Sequence, residues 1–129
     1  MLTSLPVEEF RSGLAEVVKY SLIRDKKLFE YIEKHKKELV PSNSALMHKI
    51  ISRSVHIKIK IVEKDEKEAG ERRLLDLGHT IGHAIESVIN IKHGFAVAQG
   101  IYFSSLISFE HGLLDKNNLD RIVALLRSL

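Results

Sequence analysis

Apolar positions recur every three to four residues along nearly the whole chain, the mark of helices that each bury one stripe. After Pro6, whose fixed backbone angle suits a first helical turn, Phe10, Leu14, Val17 and Val18 form one apolar face, extended by Leu22. A second helix is expected from about Lys26 to Leu39, with Leu28, Phe29 and Ile32 inward. Val40-Pro41-Ser42-Asn43-Ser44 then reads as a loop carrying capping residues. The next stretch holds a conflict. His56-Ile57-Lys58-Ile59-Lys60-Ile61-Val62 alternates as a strand would, while Met47, Ile51, Val55, Ile59 and Val62 keep helical spacing over a longer span. No strand partner is evident elsewhere, so the segment is read as a helix with Lys58 on the flank of its buried face. A charged turn from Lys64 to Glu71 leads into a helix expected from about Arg72 to Ile89. The loop Asn90-Ile91-Lys92-His93-Gly94 follows, then an apolar helix from near Phe95 to a stop at Gly112, and a last helix from about Asn118. The pattern predicts one all-α domain over residues 1–129, of five or six helices, with no internal repeat.

Composition narrows the chemistry. The chain has 129 residues, 44% hydrophobic and 29% charged, as an ordinary soluble domain has. Its formal charge of +3 is small and interleaved; the densest basic run, Lys34-His35-Lys36-Lys37, lies between Glu33 and Glu38 and reads as a solvated helix face. With 6% aromatic residues and no Trp, stacking platforms for nucleic acid are scarce, so no nucleic-acid partner is expected. The first residues show neither a basic start nor an apolar run, and no window approaches the length of a membrane span. No membrane partner and a cytoplasmic location are expected. Cysteine is absent, so a metal would have to be held by His, Asp or Glu.

The stretch Leu77-Gly78-His79-Thr80-Ile81-Gly82-His83-Ala84-Ile85-Glu86 stands out. His79 and His83, four apart, project from one side of a helix. Gly78 and Gly82 would each cost roughly 1 kcal/mol in a helix interior relative to Ala, which implies that something approaches the helix closely. Thr80 occupies the slot where the zinc-protease pattern needs its glutamate. Such a His pair alone is more often two satisfied or surface side chains than a metal site. His35, His48, His56 and His111 take that plain reading, and so would His93 by itself; Glu16 would be a surface carboxylate paired with Lys19.

Four motifs in order change this. Gly13-Leu14-Ala15-Glu16-Val17-Val18-Lys19-Tyr20, Asp65-Glu66-Lys67-Glu68-Ala69-Gly70-Glu71-Arg72, Leu75-Asp76-Leu77-Gly78-His79-Thr80-Ile81-Gly82-His83-Ala84 and His93-Gly94-Phe95-Ala96-Val97-Ala98 together resemble the signatures of the 3-dehydroquinate synthase family. The resemblance runs from about Leu5 to Gly112. It implies the helical, metal-binding half of a two-domain enzyme, of the kind shared with the iron-containing alcohol dehydrogenases. It also implies a divalent metal, zinc or cobalt, held by Glu16, His79 and His93, a donor set that suits a catalytic site.

The family's reaction turns 3-deoxy-D-arabino-heptulosonate 7-phosphate into 3-dehydroquinate and phosphate, with NAD used catalytically. By resemblance, His83 and Lys19 stand beside the metal as proton-handling groups, Lys58 and Arg72 contact the phosphorylated sugar-acid substrate, Asp76 lies at a substrate-binding position, and Glu68 orients the basic groups. Two positions depart from the usual pattern. Asp76 stands where Asn is common, and would need Arg72, four residues earlier, to neutralise it. Phe95 replaces an acid that would follow His93-Gly94, which bears on how His93 is held.

No Gly-rich phosphate-binding turn follows a strand, so no cofactor-binding residue is assigned and NAD is expected on an N-terminal domain outside this sequence. The chain is therefore expected to be a fragment, inactive alone, with a homodimer left open by the apolar helix from Ala96 to Phe109. Two other readings remain: a related sugar-phosphate cyclase or glycerol/iron-containing alcohol dehydrogenase, and a non-catalytic helical interaction module.

Overall fold

A computed structural model of the chain describes residues 4–65 and 70–129. Among the described residues there are six α-helices and no strand: α1 Val7–Arg24, α2 Lys26–Lys34, α3 Ser44–Asp65, α4 His79–Val88, α5 His93–Glu110 and α6 Lys116–Arg127. Short 3-10 segments, Lys36–Glu38 and Glu71–Asp76, lie between them. No described helix is long and apolar enough to cross a membrane.

α1 buries Phe10, Leu14, Val17 and Val18, the face its spacing predicts. A single residue, Asp25, separates α1 from α2, and its carboxylate serves two elements at once. It caps α2 by accepting from the Leu28 amide at 2.9 Å, and it binds the Arg53 guanidinium of α3 at 2.5 and 3.1 Å. α2 is shorter than expected: it gives way to the 3-10 turn after Lys34 rather than running to Leu39.

The conflict over residues 56–62 resolves as helix, but the expected face is displaced. α3 buries Leu46, Met47, Ile50, Ser54, Ile57 and Ile61, whereas Val55 and Ile59 are 51% and 48% exposed. Positions 47, 50, 54, 57 and 61 follow the three-four alternation of a helix stripe, with Ser54 closing its hydroxyl onto the Ile50 carbonyl at 2.8 Å. Because Ser54 is buried with them, the stripe is rotated from the one that apolar positions alone define. Lys58 stands exposed.

The largest departure lies ahead of α4. The helix expected from Arg72 to Ile89 is broken: Glu71–Asp76 is 3-10, and Gly78, at φ 79°, turns the chain before α4 begins at His79. Gly78 is thus a left-handed turn residue, not a helix-interior one. Its lack of a side chain also admits α5: a Cβ on Gly100 would lie 1.9 Å from the Gly78 carbonyl oxygen. Gly82 abuts the Ala96 carbonyl in the same way, at 3.1 Å. The close approach inferred from the two glycines is therefore that of the α5 backbone.

α5 begins at His93, two residues earlier than expected, and ends in a Schellman motif. Leu113 N–H reaches back to Ser108 O, Gly112 N–H to Phe109 O, and Gly112 takes φ 69°. α6 starts at Lys116 because Asp115 caps it, accepting from the Asn118 amide at 2.8 Å. Ile122 and Leu125 of α6 join Val97 and Ile101 of α5, Leu14 and Val18 of α1, and Leu28 and Ile32 of α2 in one core. α5 packs against α1, α4 and α6 and is the central helix.

Candidate metal centre

Three helices deliver the site. Glu16 projects from the middle of α1, while His79 and His93 are the first residues of α4 and α5. The N-terminus of α5 is pinned to α1 at Gly94, whose amide donates to Ser12 Oγ at 2.9 Å. A Cβ on Gly94 would sit 2.0 Å from the Ser12 carbonyl oxygen. Lys92, capping α5, forms an ion pair with Glu9 of α1. This contact places His93 one turn along α1 from Ser12, beside Glu16.

The ligand atoms of Glu16, His79 and His93 all lie within 4.8 Å of one another. Glu16 Oε1 is 3.8 Å from Nε2 of His79 and 3.8 Å from Nε2 of His93. Those separations are too long for hydrogen bonds. Oε1 is buried and has no hydrogen-bond partner among the described residues. An orphaned carboxylate oxygen between two imidazole nitrogens is costly as it stands, and a cation shared by all three would satisfy it. One carboxylate and two imidazoles also form a donor set suited to a catalytic divalent metal. The residues present fit such an ion.

The other oxygen of Glu16 is committed. Oε2 lies 2.7 Å from Lys19 Nζ, and the Lys19 side chain is only 4% exposed. The same ammonium sits 5.0 Å from the centre of the Tyr20 ring. Burial pushes the Tyr20 hydroxyl above its usual pKa, with the Glu16 charge adding to the effect.

The remaining ring nitrogens are held as well. His79 Nδ1 is 3.3 Å from the Leu77 carbonyl. His93 Nδ1 lies 3.1 and 3.2 Å from the two oxygens of Glu86, and His83 Nδ1 is 3.1 Å from Glu86 Oε2. These hydrogen bonds, the one from His93 foremost, hold the Glu86 carboxyl below the usual carboxylate range. His83, Glu86 and His93 form a second group whose ligand atoms converge within 4.8 Å. Its carboxylate already accepts from both rings, whereas Glu16 Oε1 accepts from none, so the first group has the greater need of a cation.

Glu86 is the residue that sequence reasoning passed over. Its signal was present: it follows His83 by three and His79 by seven, one face of one helix. With Phe95 following His93-Gly94, the carboxylate that meets His93 comes from Glu86 of α4.

The other candidate positions scatter. His83 flanks the trio, its ring centre 5.5 Å from that of His79 and 5.7 Å from that of His93, and its side chain is 63% exposed. Asp76 ends the 3-10 segment and lines a cleft of about 730 Å³ with Arg73, Leu22, Ile23 and Ile81. In a 3-10 helix residues three apart eclipse, so Arg73, not Arg72, shares a side with Asp76. Arg72 is exposed on the same segment, as is Lys58 on α3. Glu68 lies outside the described residues. Neighbouring Glu71 ties the segment down, pairing with Lys64 at 2.8 Å and with Arg24.

Residues 13–129 match the family model described as 3-dehydroquinate synthase C-terminal. The chain is 43% identical over 124 residues to the 3-dehydroquinate synthase of Nitrosospira multiformis, covering 94% of this chain and 34% of that protein. It is 44% identical over 132 residues to that of Prochlorococcus marinus strain AS9601, covering 98% and 36%. Among solved structures, 2-epi-5-epi-valiolone synthase from Streptomyces hygroscopicus, with NAD+ and Zn2+ bound, superposes with a TM-score of 0.88 at 29% identity. That match covers 98% of this chain and 36% of the other. The chain thus spans about a third of the length of the relatives it matches.

Proposed function

This chain belongs to the 3-dehydroquinate synthase C-terminal family, and we propose on that premise that it is the metal- and substrate-binding helical domain of a 3-dehydroquinate synthase. The enzyme it serves converts 3-deoxy-D-arabino-heptulosonate 7-phosphate to 3-dehydroquinate and phosphate, with NAD carried mainly by a domain outside this sequence. The observation that carries the reading is the buried, unpartnered Oε1 of Glu16 between the Nε2 atoms of His79 and His93.

Glu16, His79 and His93 would hold a divalent metal, zinc or cobalt, which when bound supplies Lewis-acid polarisation of a substrate hydroxyl. The chain's own residues do the rest. Lys19 pairs with Oε2 of Glu16 and keeps that carboxylate aimed. His83, held at Nδ1 by Glu86 and largely exposed beside the trio, is the group that would accept a proton from substrate and return it. The N-termini of α4 and α5 meet at the site, and their partial positive charge favours an anionic ligand. Lys58 and Arg72, both exposed, are the proposed contacts for phosphate or carboxylate, and Arg73 lines the same cleft as the unusual Asp76.

Elemental analysis of the purified chain and of a His79→Ala, His93→Ala double variant tests the centre. About one equivalent of metal in the first and little in the second is expected for a site built from these ligands. No metal in either, after zinc is supplied to folded protein, would defeat the reading. With NAD and substrate the isolated chain should release no phosphate; turnover would show that the nicotinamide domain is dispensable.

A second reading, a related sugar-phosphate cyclase, is favoured by the close superposition on 2-epi-5-epi-valiolone synthase. A substrate panel on the complete enzyme separates the two.

A further inference from the structure

A neutral imidazole carries one proton on one of two nitrogens, and only the other can take a metal. His93 is half exposed at the first position of α5, where little packing would hold its ring. Both oxygens of Glu86 face its Nδ1, at 3.1 and 3.2 Å. An ionised carboxylate only accepts hydrogen bonds, so the proton of His93 must sit on Nδ1 and the lone pair on Nε2, the atom facing Glu16. Glu86 also receives Nδ1 of His83, one turn earlier on α4. One carboxylate thus sets the tautomer of a metal ligand on α5 and of the exposed His83 on α4.

We propose that Glu86 is a positioning residue of the metal centre, locking His93 with Nε2 presented to the ion and joining His83 to the same hydrogen-bonded unit. The proposal rests on the assignment of Glu16, His79 and His93 as the ligands. His79 has its own device, the Leu77 carbonyl, so loss of Glu86 leaves two of three ligands oriented and weakens the site without abolishing it.

Zinc affinity, read by competition with a chromophoric chelator on the full chain, tests this. Partners of metal-bound histidines typically contribute about 10–100-fold in affinity, and Glu86→Ala should lose that much while the metal-free protein keeps its circular dichroism spectrum. Glu86→Gln, whose carbonyl oxygen still accepts from one ring, should fall between. Nitrogen-15 spectra of the metal-free protein should show His93 protonated on Nδ1 in the parent and a tautomer mixture in Glu86→Ala. His83→Ala, which removes one of the two rings bonded to Glu86 but leaves the Glu86–His93 contact, should lose much less zinc affinity than Glu86→Ala. Unchanged affinity and an unchanged His93 tautomer in Glu86→Ala would overturn the inference. So would a loss in His83→Ala equal to that in Glu86→Ala, because the ion would then lie in the His83, Glu86 and His93 group. Loss of binding in Glu16→Gln with no effect of Glu86→Ala would keep the metal centre and discard only the positioning role. A parent chain that takes no zinc discards both.

Discussion

Lys19 occupies one oxygen of Glu16 and leaves the other unpartnered: Nζ is 2.7 Å from Oε2, while Oε1 faces two imidazoles that stay 3.8 Å away. Glu16 and Lys19 lie one turn apart on α1, so their contact is made within one helix. A partly buried carboxylate with one oxygen paired and the other unpartnered can serve an ion pair and still offer Oε1 to a cation.

Lys19→Met removes the ammonium of that pair. Breaking a buried pair costs about 3–5 kcal/mol when the remaining charge is fully buried; with Glu16 partly accessible, about 2 kcal/mol is expected. Zinc should then raise the melting temperature more in the variant than in the parent, since it relieves a carboxylate that has lost its ammonium. Equal shifts in calorimetry would argue against a shared Glu16.

Two glycines in α-helices should respond in opposite ways to the same substitution. Gly100→Ala places a methyl 1.9 Å from the Gly78 carbonyl, backbone against backbone. The cost should be about 3 kcal/mol or more, and α4 displaced from α5 should also bind metal less tightly. Gly13 has nothing within 4 Å of its would-be Cβ, so Gly13→Ala should stabilise α1 by up to about 1 kcal/mol. Urea melts of the two variants read both effects.

The displaced stripe of α3 gives a test of face. Ile61, 2% exposed, sits in the core, and Ile59 is 48% exposed. Ile61→Ala should cost about 2–5 kcal/mol, whereas Ile59→Ala should stay within about 0.5 kcal/mol, as surface changes do. Comparable losses would place the segment in the alternating, strand-like register instead.

Arg121 of α6 grips Glu33 of α2 through Nε at 3.0 Å and Nη2 at 2.7 Å. The hydrogen bond from Arg121 holds the Glu33 carboxyl below its usual value of 4.5. Because the folded pKa is the lower one, the pair's contribution is complete above the unfolded value and is lost as pH falls through the folded one. At neutral pH Glu33→Gln should cost about 0.5–1 kcal/mol, the scale of a partly solvated pair. The difference from the parent should vanish in strong acid, as thermal melts across pH 2–7 would show.

Much of this molecule is written in local pattern. The helices α1 and α2 follow from stripes such as Phe10, Leu14, Val17 and Val18, because burying one face of a 3.6-residue period depends on neighbours in sequence. The positive-φ stop at Gly112 is equally local, since only glycine takes that conformation cheaply. Carboxylate and imidazole motifs in order were enough to suggest Glu16, His79 and His93 as ligands. Tertiary contact decided what local pattern left open. The stripe of α3 turned about Ser54 because a serine that bonds its own helix can be buried as an apolar residue can. The expected long helix broke at Gly78 because α5 must pass against that backbone. Glu86 meets His93 only because α4 packs on α5, a contact that no local pattern encodes. Sequence supplied the donors and most of the helices; close backbone packing through Gly78, Gly82, Gly94 and Gly100 determined where those donors converge.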